Sequence, residues 1–154
     1  MAARDSEAGT ADREIVATRI YGAPRELVWR VWTDPKHIAQ WWGPQGFTNT
    51  IREMDVRPGG AWRFTMHGPD GTDYPNEIVF TEVMKPERLA YDHTAPKFHV
   101  TVTFAEADAG KTKLTMRMVF TTSAERDDIA QKYGAVEGQQ QTLGRLADYL
   151  VAVA

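Results

Sequence analysis

Chemistry in this chain has to come from a short list of side chains. Four histidines are present, His37, His67, His93 and His99, and imidazole is the one group that titrates near neutral pH unaided. They do not form a metal motif. No His-Glu-x-x-His occurs, and the strand register derived below sends His93 and His99 to opposite sheet faces. No metal and no cofactor are therefore expected. The chain has no cysteine, which removes disulfides and thiolate chemistry. No serine has an evident base beside it, and no glycine-rich phosphate cradle follows a strand. Asp34, Asp70 and Asp73 are explained as caps and turns.

What remains is His93, Asn76 and Glu137. His93 has two readings: a ring hydrogen-bonded to a carbonyl near its hairpin, or an orienting donor or general base facing a bound carbonyl compound. Glu137, at the start of the final helix, has two as well. Its charge is favoured by the helix N-terminus, or it turns inward to join Asn76 and His93 as convergent polar groups of an apolar pocket.

Strands must position the first two. Trp62, Phe64 and Met66 alternate with Arg63, Thr65 and His67, the period-2 pattern of a half-buried strand. Gly68-Pro69-Asp70-Gly71 is a hairpin signal. With Gly71 as a left-handed bulge residue, Met66 faces Tyr74, Phe64 faces Asn76 and Trp62 faces Ile78. Tyr74, Ile78 and Phe80 then share the aromatic face, with Asn76 as a polar group upon it. A second hairpin around Ala95-Pro96 pairs His93 with Phe98, Asp92 with His99 and Tyr91 with Val100. Leu89, Tyr91 and His93 thereby share a face with Phe98, Val100, Val102 and Phe104, and Asp92 meets His99 on the other. Leu114, Met116, Met118 and Phe120 alternate in the last strand.

Ahead of these, Glu14 to Tyr21 reads as a first strand and Ala23-Pro24 opens a helix that Asp34-Pro35 stops. A short helix runs from Pro35 to about Trp42. Trp41 and Trp42 have two readings, as a plug beneath the first helix or as the rim of a ligand mouth. After the strands, Ser123 to Val153 reads as one long helix. Leu143, Leu146 and Leu150, with Ala147 and Val151, form its apolar stripe, and Gln139, Gln140, Gln141, Arg145 and Asp148 its other side. The fold class is α+β: a curved antiparallel sheet of about seven strands wrapped round its final helix.

The inward face, from Trp62 through Phe120, is wide for one helix to cover, and a bent sheet under a single helix leaves a wedge of space. That wedge is either packed shut or open to a ligand. Met116 and Met118 as adaptable liners, interruptions at Gly134, Gly138 and Gly144, and the inward Asn76 and His93 favour a cavity.

Composition narrows the classes. At 154 residues the chain suits one domain, residues 13–154, behind a loose tail of residues 1–12. Eighteen basic against twenty-one acidic side chains, with no basic block, argue against nucleic acid. No apolar run reaches the roughly 18 residues of a membrane span, and residues 1–12 lack an apolar signal core. The absence of cysteine fits a reducing cytoplasm. Exposed strand edges leave room for a homodimer.

Several short motifs then carry a resemblance: Ala23-Pro24 with Val28-Trp29, Thr33-Asp34-Pro35, Trp41-Trp42-Gly43-Pro44, Arg57-Pro58-Gly59-Gly60, Pro86-Glu87-Arg88-Leu89 and the Leu143 to Leu150 stretch. From Glu14 to Leu150 the chain resembles the START-like or SRPBCC superfamily. Within it, the chain is similar to bacterial proteins related to the C-terminal domain of the Hsp90 ATPase activator. The resemblance implies a helix-grip fold, in which a seven-stranded sheet grips a C-terminal helix around an apolar cavity. Carriers, polyketide cyclases and cochaperone domains share that fold, so fold alone does not choose among them.

Three functions are therefore weighed. The first is binding of a small hydrophobic or aromatic molecule lined by Trp62, Phe64, Met66, Tyr74, Asn76, Ile78, Phe80, Tyr91, His93, Phe98, Met116, Met118, Phe120 and Glu137. The second is a cyclase or hydratase moving protons with His93 and Glu137. The third, implied only by the resemblance, is a chaperone-associated domain.

Overall fold

Chain punctuation sets the helical layer. Strand β1 (Glu14–Tyr21) turns Ile15, Ala17 and Tyr21 inward, and Pro24 stands just ahead of helix α1 (Arg25–Thr33), which buries Val28, Trp29, Val31 and Trp32. Asp34 is extended, as the residue before a proline must be, and its carboxylate accepts from the Lys36 amide at 2.9 Å. That bond caps α2 (Pro35–Ile38), one turn long and shorter than the expected run to Trp42. The computed structural model describes residues 11–153. The first ten residues of the expected tail lie outside that range; Ala11–Arg13 form a 3-10 turn.

The sheet is built from β1, β2 (Thr48–Met54), β3 (Ala61–His67), β4 (Asp73–Met84), β5 (Arg88–His93), β6 (Phe98–Glu106) and β7 (Thr112–Phe120). Its order is β1-β7-β6-β5-β4-β3-β2, every neighbouring pair antiparallel. Both expected registers hold: Met66 faces Tyr74, Phe64 faces Asn76 and Trp62 faces Ile78, while His93 faces Phe98 and Asp92 faces His99. Gly71 sits at a φ of 87°, a conformation an L side chain resists. Register slips at Ile51/Glu53 and Phe80/Glu82 bend the sheet. Its outer face carries the Asp92–His99 hydrogen bond and the exposed ion pairs of Arg63 with both Glu53 and Glu77.

The C-terminal segment is two helices where one was expected. Helix α3 (Ser123–Tyr133), capped by the Thr122 hydroxyl, ends at Gly134, whose φ of 59° and ψ of 41° are left-handed; α4 (Ala135–Val153) follows. Gly138 and Gly144, expected as further interruptions, lie inside α4 without breaking it. Helix α4 buries Gln139, Thr142, Leu143, Leu146 and Leu150. Its phase corrects two assignments made from sequence. Gln139 is seven positions before Leu146 and returns to within roughly 20° of it at about 100° per residue; it is buried, where a solvent side was expected. Val151 is five positions after Leu146, roughly 140° away, and is 81% exposed.

Candidate functional site

The wedge between sheet and helix holds a cavity of about 180 Å³. Its floor is strand by strand the inward row: Phe64 and Met66 of β3, Asn76 and Ile78 of β4, Tyr91 and His93 of β5, Phe98 of β6, and Met116 and Met118 of β7. The roof is Ala135, Gly138, Gln139 and Thr142 of α4 with Tyr133 at the end of α3, and Trp42, Gly43 and Pro44 close one end. A wider groove of about 460 Å³ shares Asn76, His93, Phe98, Met118 and Tyr133 with the cavity and adds Tyr74, Pro96 and Ile129.

The remaining expected residues stand elsewhere. Tyr74 belongs to the outer groove, 37% exposed. Trp62, Phe80 and Phe120 are each 1% exposed and pack in the core. Trp62 stacks on Phe64 at 4.4 Å between centroids, and Phe120 lies 5.2 Å from Phe98. Glu137 is exposed and does not join His93 and Asn76. Nine positions before Leu146, it falls on the opposite side of α4. The expected convergence of His93, Asn76 and Glu137 is thus reduced to its first two members.

Those two form a hydrogen-bonded group. His93 is 7% exposed; its Nδ1 is 2.7 Å from the Pro96 carbonyl and its Nε2 is 2.6 Å from Asn76 Oδ1. Asn76 in turn donates Nδ2–H to the Tyr74 carbonyl at 2.9 Å. Burial depresses the His93 pKa below the usual imidazole range, and the Pro96 hydrogen bond opposes that shift. A neutral ring has one N–H for two oxygens. With Nδ1–H given to Pro96, Nε2 presents a lone pair toward the Asn76 amide. The group is one proton short of full satisfaction. His93 thus meets the hairpin-carbonyl reading directly, and both of its nitrogens are engaged.

The tryptophans divide the two readings between them. Trp41 is 1% exposed and donates its indole N–H to the Val31 carbonyl at 3.1 Å, plugging the core beneath α1. Trp42 packs edge-on to Trp62 at 5.1 Å and lines the cavity. Behind it the Arg145 guanidinium donates from Nη1 to the carbonyls of Trp42, Gly43 and Pro44 at 3.2, 3.0 and 3.0 Å. This pins the end wall to α4, and the partial burial lowers the Arg145 pKa. Gly43 has a φ of 98°, and a Cβ there would lie 2.7 Å from the Met66 methyl.

The roof residues escaped the sequence reading. Gln139 donates Nε2–H to the Met116 carbonyl at 3.2 Å, and the Thr142 hydroxyl donates to the Gly138 carbonyl at 2.8 Å. Running the leucine stripe back by two turns would have found Gln139. Among the described residues, no three His, Asp or Glu side chains gather into a site that would hold a metal ion. No described helix is long and apolar enough to cross a membrane.

This architecture is shared. A family model described as Activator of Hsp90 ATPase homolog 1-like protein matches residues 22–151. The chain belongs to that family. Among solved structures, a protein from Nitrosomonas europaea is 26% identical with a TM-score of 0.84, the match covering 92% of this chain and 96% of that one. An Activator of Hsp90 ATPase homolog 1-like protein from Aeromonas hydrophila is 26% identical with a TM-score of 0.72, covering 91% and 93%. A protein from Mycobacterium smegmatis, 24% identical over 94% and 95% at a TM-score of 0.84, shares the fold. No curated protein sequence matches the chain. The Activator of Hsp90 ATPase homolog 1-like family thus brings with it the helix-grip arrangement: seven antiparallel strands curved against a C-terminal helix.

Proposed function

We propose that the protein binds a small hydrophobic or aromatic molecule in the cavity between the sheet and α4. The observation that carries this reading is the space itself. About 180 Å³ stays open beneath Ala135, Gly138, Gln139 and Thr142 of α4, walled by Phe64, Ile78, Phe98, Met116 and Met118 with only a few polar groups among them. An apolar cavity of about 150 Å³ in an engineered protein stays dry and takes up benzene, so the space suits one ring, with the outer groove to receive a substituent. The thioethers of Met116 and Met118 can adjust to the guest.

The proton-transfer reading pairs His93 with Glu137, and Glu137 is exposed on the opposite side of α4. The chaperone-associated reading has the family's name behind it, whereas the cavity favours a small-molecule ligand. Soaking the protein with a mixed lipid and aromatic library, followed by native mass spectrometry, tests the proposal. A retained species whose amide-shift changes fall on Ile78, His93, Phe98 and Gly138 is expected. Absence of any retained species, together with no shift at those residues under millimolar single-ring compounds, overturns it.

A further inference from the structure

Two polar atoms on the cavity wall have no protein partner, and that narrows the guest. Tyr91 is 1% exposed, stands edge-on to Trp62 and Phe80 at 6.2 and 6.1 Å, and lines the cavity. Among the described residues nothing hydrogen-bonds its hydroxyl. Gln139 is 5% exposed and lines the same cavity; its Nε2 is used on the Met116 carbonyl and its Oε1 is not. Buried hydroxyl and amide groups are almost always paired, because leaving one unpaired costs about 1–3 kcal/mol. Here a donor and acceptor in one and an acceptor in the other are left over, on the wall of a space one ring in size.

The lining also says what the guest is not. No lysine or arginine lines the cavity around Tyr91 and Gln139, Lys132 belonging to the outer groove, and a carboxylate stripped of water in the cavity without a cation beside it is strongly disfavoured. His93 has no N–H left for a carboxylate, since its nitrogens face the Pro96 carbonyl and Asn76 Oδ1 at 2.7 and 2.6 Å, and burial disfavours its charged form. A wholly apolar guest would leave the Tyr91 hydroxyl and the Gln139 carbonyl unpaired for good.

Resting on the ligand-binding reading above, we infer that the occupant is a neutral single-ring molecule carrying a hydroxyl or carbonyl oxygen, which the Tyr91 hydroxyl and the Gln139 side-chain carbonyl recognise. A phenolic or alcoholic O–H both accepts from Tyr91 and donates to Gln139. A ketone uses Tyr91 alone.

Three compounds that share a methylphenyl frame test this by amide-shift titration of the full chain: toluene, 4-methylphenol and 4-methylbenzoate. The expected order is 4-methylphenol ahead of toluene by roughly tenfold, the worth of one buried hydrogen bond, with 4-methylbenzoate weakest. Tyr91→Phe should bring 4-methylphenol down toward toluene without weakening toluene, and should hold or raise the thermal midpoint, since the lost hydroxyl has no protein partner. Equal affinity for toluene and 4-methylphenol overturns the inference while leaving the ligand-binding proposal standing. Tightest binding of 4-methylbenzoate likewise refutes the neutral class alone. Binding of none of the three refutes the inference, and the library soak then decides whether the ligand-binding proposal falls with it. Should Tyr91→Phe fail to fold, the wild-type ranking decides.

Discussion

Gly138 and Gly144 offer a matched pair for asking whether the cavity is kept open at the expense of stability. Both lie inside α4, where glycine is about 0.5–1 kcal/mol less favourable than alanine. A Cβ at Gly138 would lie 3.5 Å from Pro44 Cγ, an ordinary contact, and one at Gly144 would lie 3.4 Å from Arg19 Nη1, the far end of a flexible side chain. Neither methyl is obstructed. Each alanine variant should therefore gain roughly 0.5–1 kcal/mol, or about 1–4 °C in thermal midpoint for a chain of this size. The difference lies in what each site faces: Gly138 lines the cavity roof. Gly138→Ala should weaken 4-methylphenol binding several-fold, and Gly144→Ala should leave it unchanged. Circular-dichroism melts and amide-shift titrations on the two variants read both quantities. A Gly138→Ala variant that loses stability would refute the steric argument, and one that binds the ring as well as wild type would refute the placement of the guest beneath α4.

Other perturbations follow from named contacts. Arg145→Met removes the donor shared by the carbonyls of Trp42, Gly43 and Pro44; a loss of about 2 kcal/mol in urea-unfolding free energy is expected. Gly134→Ala forces an L side chain into a left-handed position at a φ of 59°, with an expected loss of about 1–2 kcal/mol. His93, its pKa held below the ordinary value of 6.5 by burial, makes stability fall with acidification. Below pH 6.5 the unfolded chain takes up a proton that the folded ring resists, so the loss begins there and continues down to the depressed folded pKa. Urea midpoints of wild type minus those of His93→Gln, measured from pH 7.5 to 5, should decline with falling pH; a flat difference would contradict the assignment.

What could be read from residue order alone was which face each strand residue takes. Alternation fixed Phe64, Asn76 and His93 inward, and Gly71 set the hairpin register, because both are local consequences of backbone geometry. Depth was not legible. Trp62, Phe80 and Phe120 share the inward face with Phe64 and Phe98, yet they fill the core, and only the curvature of the sheet separates liners from filler. Helix phase was legible but not carried far enough. The three leucines place Gln139 on the stripe and Glu137 opposite, so the expected carboxylate came from reading helix position without rotation. Tyr91 shows the same limit: its face was evident, while its unpartnered hydroxyl depends on neighbours brought in from other strands.

The break at Gly134 separates two helices of unequal attachment. Helix α4 is anchored by five buried residues, whereas α3 buries none, although its Ile129, Lys132 and Tyr133 form part of the outer groove. Segments with little buried apolar surface open at a small fraction of the global unfolding free energy. Helix α3, held to the core only by the partly buried Ile129 and Ala130, would open before the leucine seam of α4 and bare the groove. On the ligand-binding proposal, a guest would then enter and leave without the rest of the fold having to open.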